Sequence, residues 1–196
     1  MNSCDLIKMA KGFGFDGAAE TDPGLFRYMP EVRDMCKADK CKSYNRSWSC
    51  PPACGTLERI SEKAAGYDKC ILVQTVGRRR DEYDFEFYAD TAARHNENFR
   101  AFVSALRKDG ADIFPMGTGS CRLCGDCSYP DAPCRLPEES FPSMEACGLL
   151  VSKVCEDAGL RYYYGPESIA YTGCCLYSTK SNRKAYPVRR TTAPAG

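Results

Sequence analysis

Cys70-Ile71-Leu72-Val73-Gln74-Thr75-Val76 is a nearly continuous apolar run of strand length. Such a run predicts a buried strand. Upstream of it, Thr56 has the residue type of a helix N-cap, and Leu57, Ile60 and Ala64 mark one face of a short helix that closes at Gly66. Downstream come Arg78, Arg79 and Arg80, and then the clearest helical pattern in the chain. Phe85, Tyr88, Ala92, His95, Phe99, Phe102 and Leu106 recur at three- and four-residue steps, giving one apolar stripe, and Gly110 supplies the C′ stop.

Farther out, the signals are shorter. Ala111–Met116 reads as a strand leading to Gly117 and Gly119. A second helix is expected from Ser143 to Gly159, with Met144, Cys147, Leu150, Val151, Val154, Cys155 and Ala158 as its apolar positions. Tyr162–Tyr164 and Ile169–Tyr177 read as strands around a Gly165-Pro166 turn. Cys4–Lys11 suits a short helix, and the remainder of residues 1–35 is mixed. Gly12, Gly14 and Gly17 spell GxGxxG, but no strand precedes them, so the dinucleotide-binding context is missing. Residues 36–55 form a cysteine-rich loop closed by Pro51 and Pro52. The sequence therefore predicts an α+β domain over residues 1–178, with a small sheet of about four strands, three or four helices and two cysteine-rich metal-binding loops. Residues 179–196 carry Lys180, Arg183, Lys184, Arg189 and Arg190 and no acidic residue, which predicts a basic, flexible C-terminal tail.

Cysteine dominates the composition. The 196 residues include 14 cysteines and a single histidine, at a formal net charge of +1. That near-neutral balance does not point to nucleic acid or to a membrane surface. No window offers the run of ~18 apolar residues that a spanning helix requires. Met1–Gly14 has no basic region followed by an apolar core, so a secretory leader is not expected. Disulfide scaffolds are typically small secreted domains, whereas a chain of this length can bury an adequate core. A cytoplasmic protein in a reducing compartment, with thiolates that bind metal or do redox work, is the expectation.

Two stretches carry that expectation. In the second, Cys121-Arg-Leu-Cys124-Gly-Asp-Cys127, three cysteines at two-residue gaps curl the chain around one centre, as bacterial-ferredoxin ligands do around a [4Fe–4S] cluster. Cys134 is the candidate fourth ligand, with Pro130 and Pro133 stiffening the return. Structural zinc sites are more often built from two separated pairs, so an iron–sulfur cluster is favoured, with zinc as the alternative. The first stretch, Cys36-x4-Cys41-x8-Cys50-Pro-Pro-Ala-Cys54, matches no standard spacing. Four thiolates within it can still close on one centre. Pro51-Pro52 should hold the loop extended, and Tyr44 and Trp48 are placed to shield a centre from water. If Cys54 were not a ligand, three thiolates would leave one iron open to substrate.

Other residues have plainer readings. His95 lies on the apolar stripe and reads as a core histidine. Cys70, Cys147 and Cys155 read as packed thiols. Cys174 and Cys175 are adjacent in a strand, so they point to opposite faces. Glu145 fits the first turn of its helix, where a carboxylate complements the dipole. Arg78–Arg80 and the basic tail read as solvated surface that can also dock an acidic redox partner protein.

Three segments together resemble a known family. They are Cys50-Pro51-Pro52, then Gly119-Ser-Cys121-Arg-Leu-Cys124-x2-Cys127-x6-Cys134-Arg-x-Pro137, then Pro142-Ser-Met-Glu-Ala-Cys-Gly148. They resemble a prokaryotic domain of unknown function, number 2284, described as a predicted metal-binding protein and found often in anaerobes. The resemblance spans roughly residues 33 to 177. It implies prokaryotic origin and metal binding, with Cys36, Cys41, Cys50, Cys121, Cys124, Cys127 and Cys134 as ligands. The chain departs from the family pattern in a Cys36–Cys41 gap one residue longer and in the extra Cys54. The family supplies no reaction. The functional expectation is a metal-binding protein with one or two [4Fe–4S] clusters serving electron transfer or redox chemistry. The alternatives are an enzyme with an open-iron cluster acting on a small molecule, and a zinc-binding structural or interaction protein.

Overall fold

The computed structural model describes residues 3–178. Its elements run α1 (Ser3–Gly12), β1 (Gly17–Thr21), a 3-10 turn (Pro23–Leu25), α2 (Pro30–Lys37), α3 (Leu57–Ala64), β2 (Lys69–Arg78), α4 (Phe87–Lys108), β3 (Ile113–Met116), α5 (Val151–Asp157) and β4 (Ser168–Tyr177). The four strands form one antiparallel sheet in the order β1-β2-β4-β3. The α+β class and the four strands agree with the sequence reading, and the described residues hold five α-helices. The basic tail expected at 179–196 lies outside the described residues.

The apolar run in β2 is explained by cover on both faces. Ile71 and Val73 join Cys175 and Tyr177 of β4 in a core shared with Leu6 and Ala10 of α1 and Phe99, Phe102, Val103 and Leu106 of α4. Cys70 and Leu72 face the other way, with Cys174 and Leu176, toward Ile60 of α3, Val154 and Cys155 of α5, and Met144, Cys147 and Leu149. Cys174 and Cys175 thus serve opposite cores, as alternation requires. The result is three layers: α1 and α4, the sheet, then α3, α5 and the cysteine loops.

Two glycines let α4 lie close to the sheet. A Cβ on Gly77 would stand 2.1 Å from Thr91 Oγ1, and one on Gly173 would stand 3.0 Å from Phe99 Cε2. The helix begins at Phe87, so its stripe is Phe87, Thr91, His95, Phe99, Phe102, Val103 and Leu106. Phe85 and Tyr88, expected on that stripe, are instead exposed. His95 is a core residue. Its Nδ1 and Thr75 Oγ1 share a hydrogen bond of 2.9 Å, and Nε2 is buried without a partner among the described residues. Burial lowers its pKa from 6.5 to about 3, so it is neutral in the folded protein.

Other boundaries differ from the sequence reading for local reasons. The expected helix from Ser143 is only a turn. Gly148 adopts φ +80 and its carbonyl accepts from Met29 N at 2.8 Å, which redirects the chain before α5 starts at Val151. Tyr162–Tyr164 is not a strand, because a buried glutamine holds this segment. Gln74 Nε2 donates to Arg161 O (3.0 Å) and Tyr164 Oη donates to Gln74 Oε1 (2.7 Å). The fourth strand is β1, whose GAAET sequence lacks β-branched alternation and owes its conformation to pairing with β2. α2 opens on Pro30, a residue suited to the first helical position.

Gly77→Ala should destabilise the protein by about 1–3 kcal/mol through overpacking, and Thr91→Ala in the same chain should recover part of that, as read by urea denaturation. For His95 the folded pKa is below the unfolded one. The unfolded chain therefore takes up the proton first as pH falls, and stability from the neutral ring is complete above pH 6.5 and lost toward pH 3. The urea midpoint should decline across that window, and His95→Gln should flatten the decline.

Candidate metal centre

The second cysteine stretch lies in a long loop between β3 and α5, closed at its base. Gly117 and Ser143 form a parallel bridge: Gly117 N donates to Pro142 O (2.8 Å) and Met144 N to Gly117 O (3.0 Å). Within the loop, Ser128 Oγ donates to Pro133 O at 2.8 Å, and Arg107 of α4 meets the Glu138 carboxylate at 3.1 Å. Cys121, Cys124, Cys127 and Cys134 all line one narrow cleft with Ser47, Trp48, Leu123 and Leu136. The structure thus brings the sequence-derived quartet together. At Cys127, slight burial opposes ionisation. The N–H groups of Tyr129 and Trp48, the Ser47 hydroxyl and the Arg135 charge outweigh it and hold the thiol below its ordinary value. This environment favours a thiolate, the form that binds metal.

The first stretch begins in the last turn of α2, which carries Cys36. Asp39, Lys42 and Asn45 then adopt left-handed conformations (φ 48, 55 and 53) three residues apart. Asp39 N caps back on Cys36 O, and the Asp39 carboxylate accepts from Tyr44 N at 2.9 Å. The loop is thus coiled by local hydrogen bonds. The prolines do not extend it: Cys54 N donates to Cys50 O (3.0 Å) and Gly55 N to Pro52 O (3.1 Å), so they sit in a turn.

Three of its cysteines, Cys36, Cys41 and Cys50, line a cavity of about 350 Å³ with Val32, Met35 and Tyr44. Lys40, Glu145, Leu149, Val151 and Tyr162 also line it. Cys54 does not. Its sulfur accepts from Arg33 Nη2 at 3.7 Å and faces the Ala146 carbonyl at 3.9 Å. Burial pushes the Cys50 thiol up to about 11, with nearby Cys41, Cys54 and Cys36 adding to the rise against a hydrogen bond from Ser49. Cys36 is raised by burial first and by the Glu145 charge second. These are neutral thiols at neutral pH, and a metal would displace their protons.

Trp48 joins the two stretches. Its ring meets Tyr129 edge-on at 4.9 Å, its Nε1 donates to Ala132 O at 3.0 Å, and Tyr129 Oη donates to Asn45 Oδ1 at 2.8 Å. Trp48 therefore shields the 121–134 quartet, while Tyr44 remains with the 36/41/50 cavity. Cys70, Cys147, Cys155, Cys174 and Cys175 are buried packing thiols, and none of the 14 cysteines is in a disulfide. Arg79 pairs with Glu167 at 2.6 Å and Arg80 with Asp84 at 2.8 Å, so the 78–80 run is largely neutralised within the fold. The sequence reading missed Glu145 as a cavity residue. The spacing puts it in a helix that Gly148 breaks, so its proximity to Cys36 has no signal in the sequence.

Among the described residues, no group of three or more Cys, His, Asp or Glu side chains closes on a single ion. A tetrahedral zinc site would need sulfurs about 3.8 Å apart, given its ~2.3 Å bonds. A cubane, with an iron behind each thiolate, holds its donors farther apart. The donor chemistry of both loops is soft thiolate, which suits a metal centre of either kind.

Fold and site together define a cysteine-rich α+β protein of the metal-binding class. A family profile described as predicted metal-binding protein (domain of unknown function 2284) matches residues 22–177, and the chain belongs to that family. No curated protein and no solved structure matched. Among the described residues no helix is long and apolar enough to cross a membrane.

Trp48→Ala removes an aromatic pair and a hydrogen bond, and should cost about 1–3 kcal/mol. Limited proteolysis should then cut within residues 121–134 faster than in the parent chain.

Proposed function

We propose that this protein is a redox protein carrying [4Fe–4S] clusters at its two cysteine loops. One observation carries the reading: four cysteines line one cleft and three line an adjacent cavity, while the eighth, Cys54, lies close to Cys36 and Cys50 but outside the cavity lining. Iron–sulfur clusters exchange single electrons, and an iron without a protein thiolate can also bind and polarise a small molecule. Cys121, Cys124, Cys127 and Cys134 hold the closed, electron-carrying site, with Trp48 and Leu136 limiting water and the N–H groups around Cys127 favouring its thiolate. Cys36, Cys41 and Cys50 hold the second site. Free thiols throughout suit a reducing cytoplasm, and a redox partner protein supplies and removes the electrons.

A second reading, an enzyme acting on a small molecule at an open iron, is favoured by the mainly apolar 350 Å³ cavity against the three-thiol site. Val32, Leu149 and Val151 give that cavity a water-poor wall, and Lys40 places a cation on it.

Anaerobic purification tests the proposal. A brown protein with a broad band near ~400 nm and about four to eight irons per chain is expected. Ser at any of Cys121, Cys124 or Cys127 should remove the quartet's share of iron, whereas Cys54→Ala should retain all of it. A colourless protein containing zinc would overturn the proposal and leave the thiolates a structural role.

A further inference from the structure

The 36/41/50 cavity presents three thiols, and a cubane has four corners. Its wall also carries one carboxylate, Glu145. This side chain is half-buried, and its carboxylate makes no hydrogen bond or ion pair with any described residue. Lys40 lines the same cavity, and a carboxylate on a mainly apolar wall is stabilised by positive charge placed there.

The backbone beneath Glu145 is fixed. Met144 N donates to Gly117 O (3.0 Å), Cys147 N to Ser143 O (3.0 Å) and Gly148 N to the Glu145 carbonyl (2.8 Å). Ser143 Oγ accepts from Ala146 N at 3.1 Å. Gly148 is closely packed: a Cβ there would stand 2.7 Å from Leu57 Cδ2 and 3.2 Å from the Met29 backbone. Glu145 is therefore held at the cavity on a rigid turn, as a ligand must be. The competing protein donor, Cys54, lies near Cys36 and Cys50 but outside the cavity lining, where its sulfur meets Arg33 and the Ala146 carbonyl. Carboxylate oxygen is an ordinary ligand for ferrous iron, and it binds more weakly than thiolate at a soft site.

We propose that Glu145 supplies the fourth protein donor of the 36/41/50 centre, an oxygen at the corner that lacks a thiolate. The proposal rests on reading that site as an iron–sulfur centre. It makes the corner exchangeable, since a carboxylate can yield to a small organic donor entering the cavity where a fourth cysteine would not.

The test uses the full chain, produced anaerobically with its clusters from cells fed glutamate labelled with carbon-13 at the side-chain carboxyl. After reduction with dithionite, electron–nuclear double resonance should show a carbon coupling to a cluster, and Glu145→Ala should abolish it. Absence of the coupling in the parent protein, or its persistence in Glu145→Ala, overturns the proposal. Iron counts separate this from failure of the underlying reading. If Cys36→Ala, Cys41→Ala and Cys50→Ala all keep the full iron content, the site is not an iron–sulfur centre. If each loses about half of it and no carbon coupling is seen, only the Glu145 assignment falls. Glu145 has no hydrogen-bond or ion-pair partner among the described residues, so the Ala variant should keep the quartet's absorption, and Glu145→Gln provides a second fold-preserving comparison.

Discussion

The β2–β4 ladder organises everything else. Ten residues pair with ten, from Lys69 opposite Tyr177 to Arg78 opposite Ser168. Because side chains alternate across the sheet, every second residue is committed to one of two cores. One core is closed by α1 and α4. The other is closed partly by α3 and α5 and partly by the Met144–Leu149 turn. That turn is the base of the second cysteine loop and the wall of the cavity. The cysteine loops therefore hang from the packing of β2 and β4.

Much of this was legible in the sequence. The run from Cys70 to Val76 is continuous because both faces are covered, and the quartet from Cys121 to Cys134 is close in space because it is close in sequence. Local spacing reports local geometry. What was not legible depended on distant partners. β1 has no strand pattern of its own and follows from the edge that β2 offers. The helix expected from Ser143 is interrupted because Gly148 docks on Met29, more than a hundred residues earlier. Pro51 and Pro52 turn the chain rather than extend it. Cys54 looked equivalent to its neighbours by spacing, and only its contact with Arg33 and Ala146 distinguishes it.

The fourteen thiols fall into different physical settings. Cys70, Cys147 and Cys175 are fully enclosed, and burial pushes each far above its ordinary value, so they behave as small apolar side chains. Cys127 is held below its ordinary value by donors aimed from two loops. Cys36 and Cys50 stand between these limits, both raised by burial and by nearby Cys41 but open to a cavity. A count of cysteines cannot separate these groups. The surrounding donors and charges do.

The contact of Trp48 with Tyr129 and Ala132 has a thermodynamic consequence. Ordering a loop costs roughly 1–2 kcal/mol per residue in conformational entropy. Each loop here supplies part of the surface on which the other is ordered, so that cost is shared. Whatever fixes one loop makes the other cheaper to fix, and linkage makes the effect equal in both directions. Order in one loop therefore favours order in the other, through the Trp48 contacts and the Tyr129–Asn45 hydrogen bond.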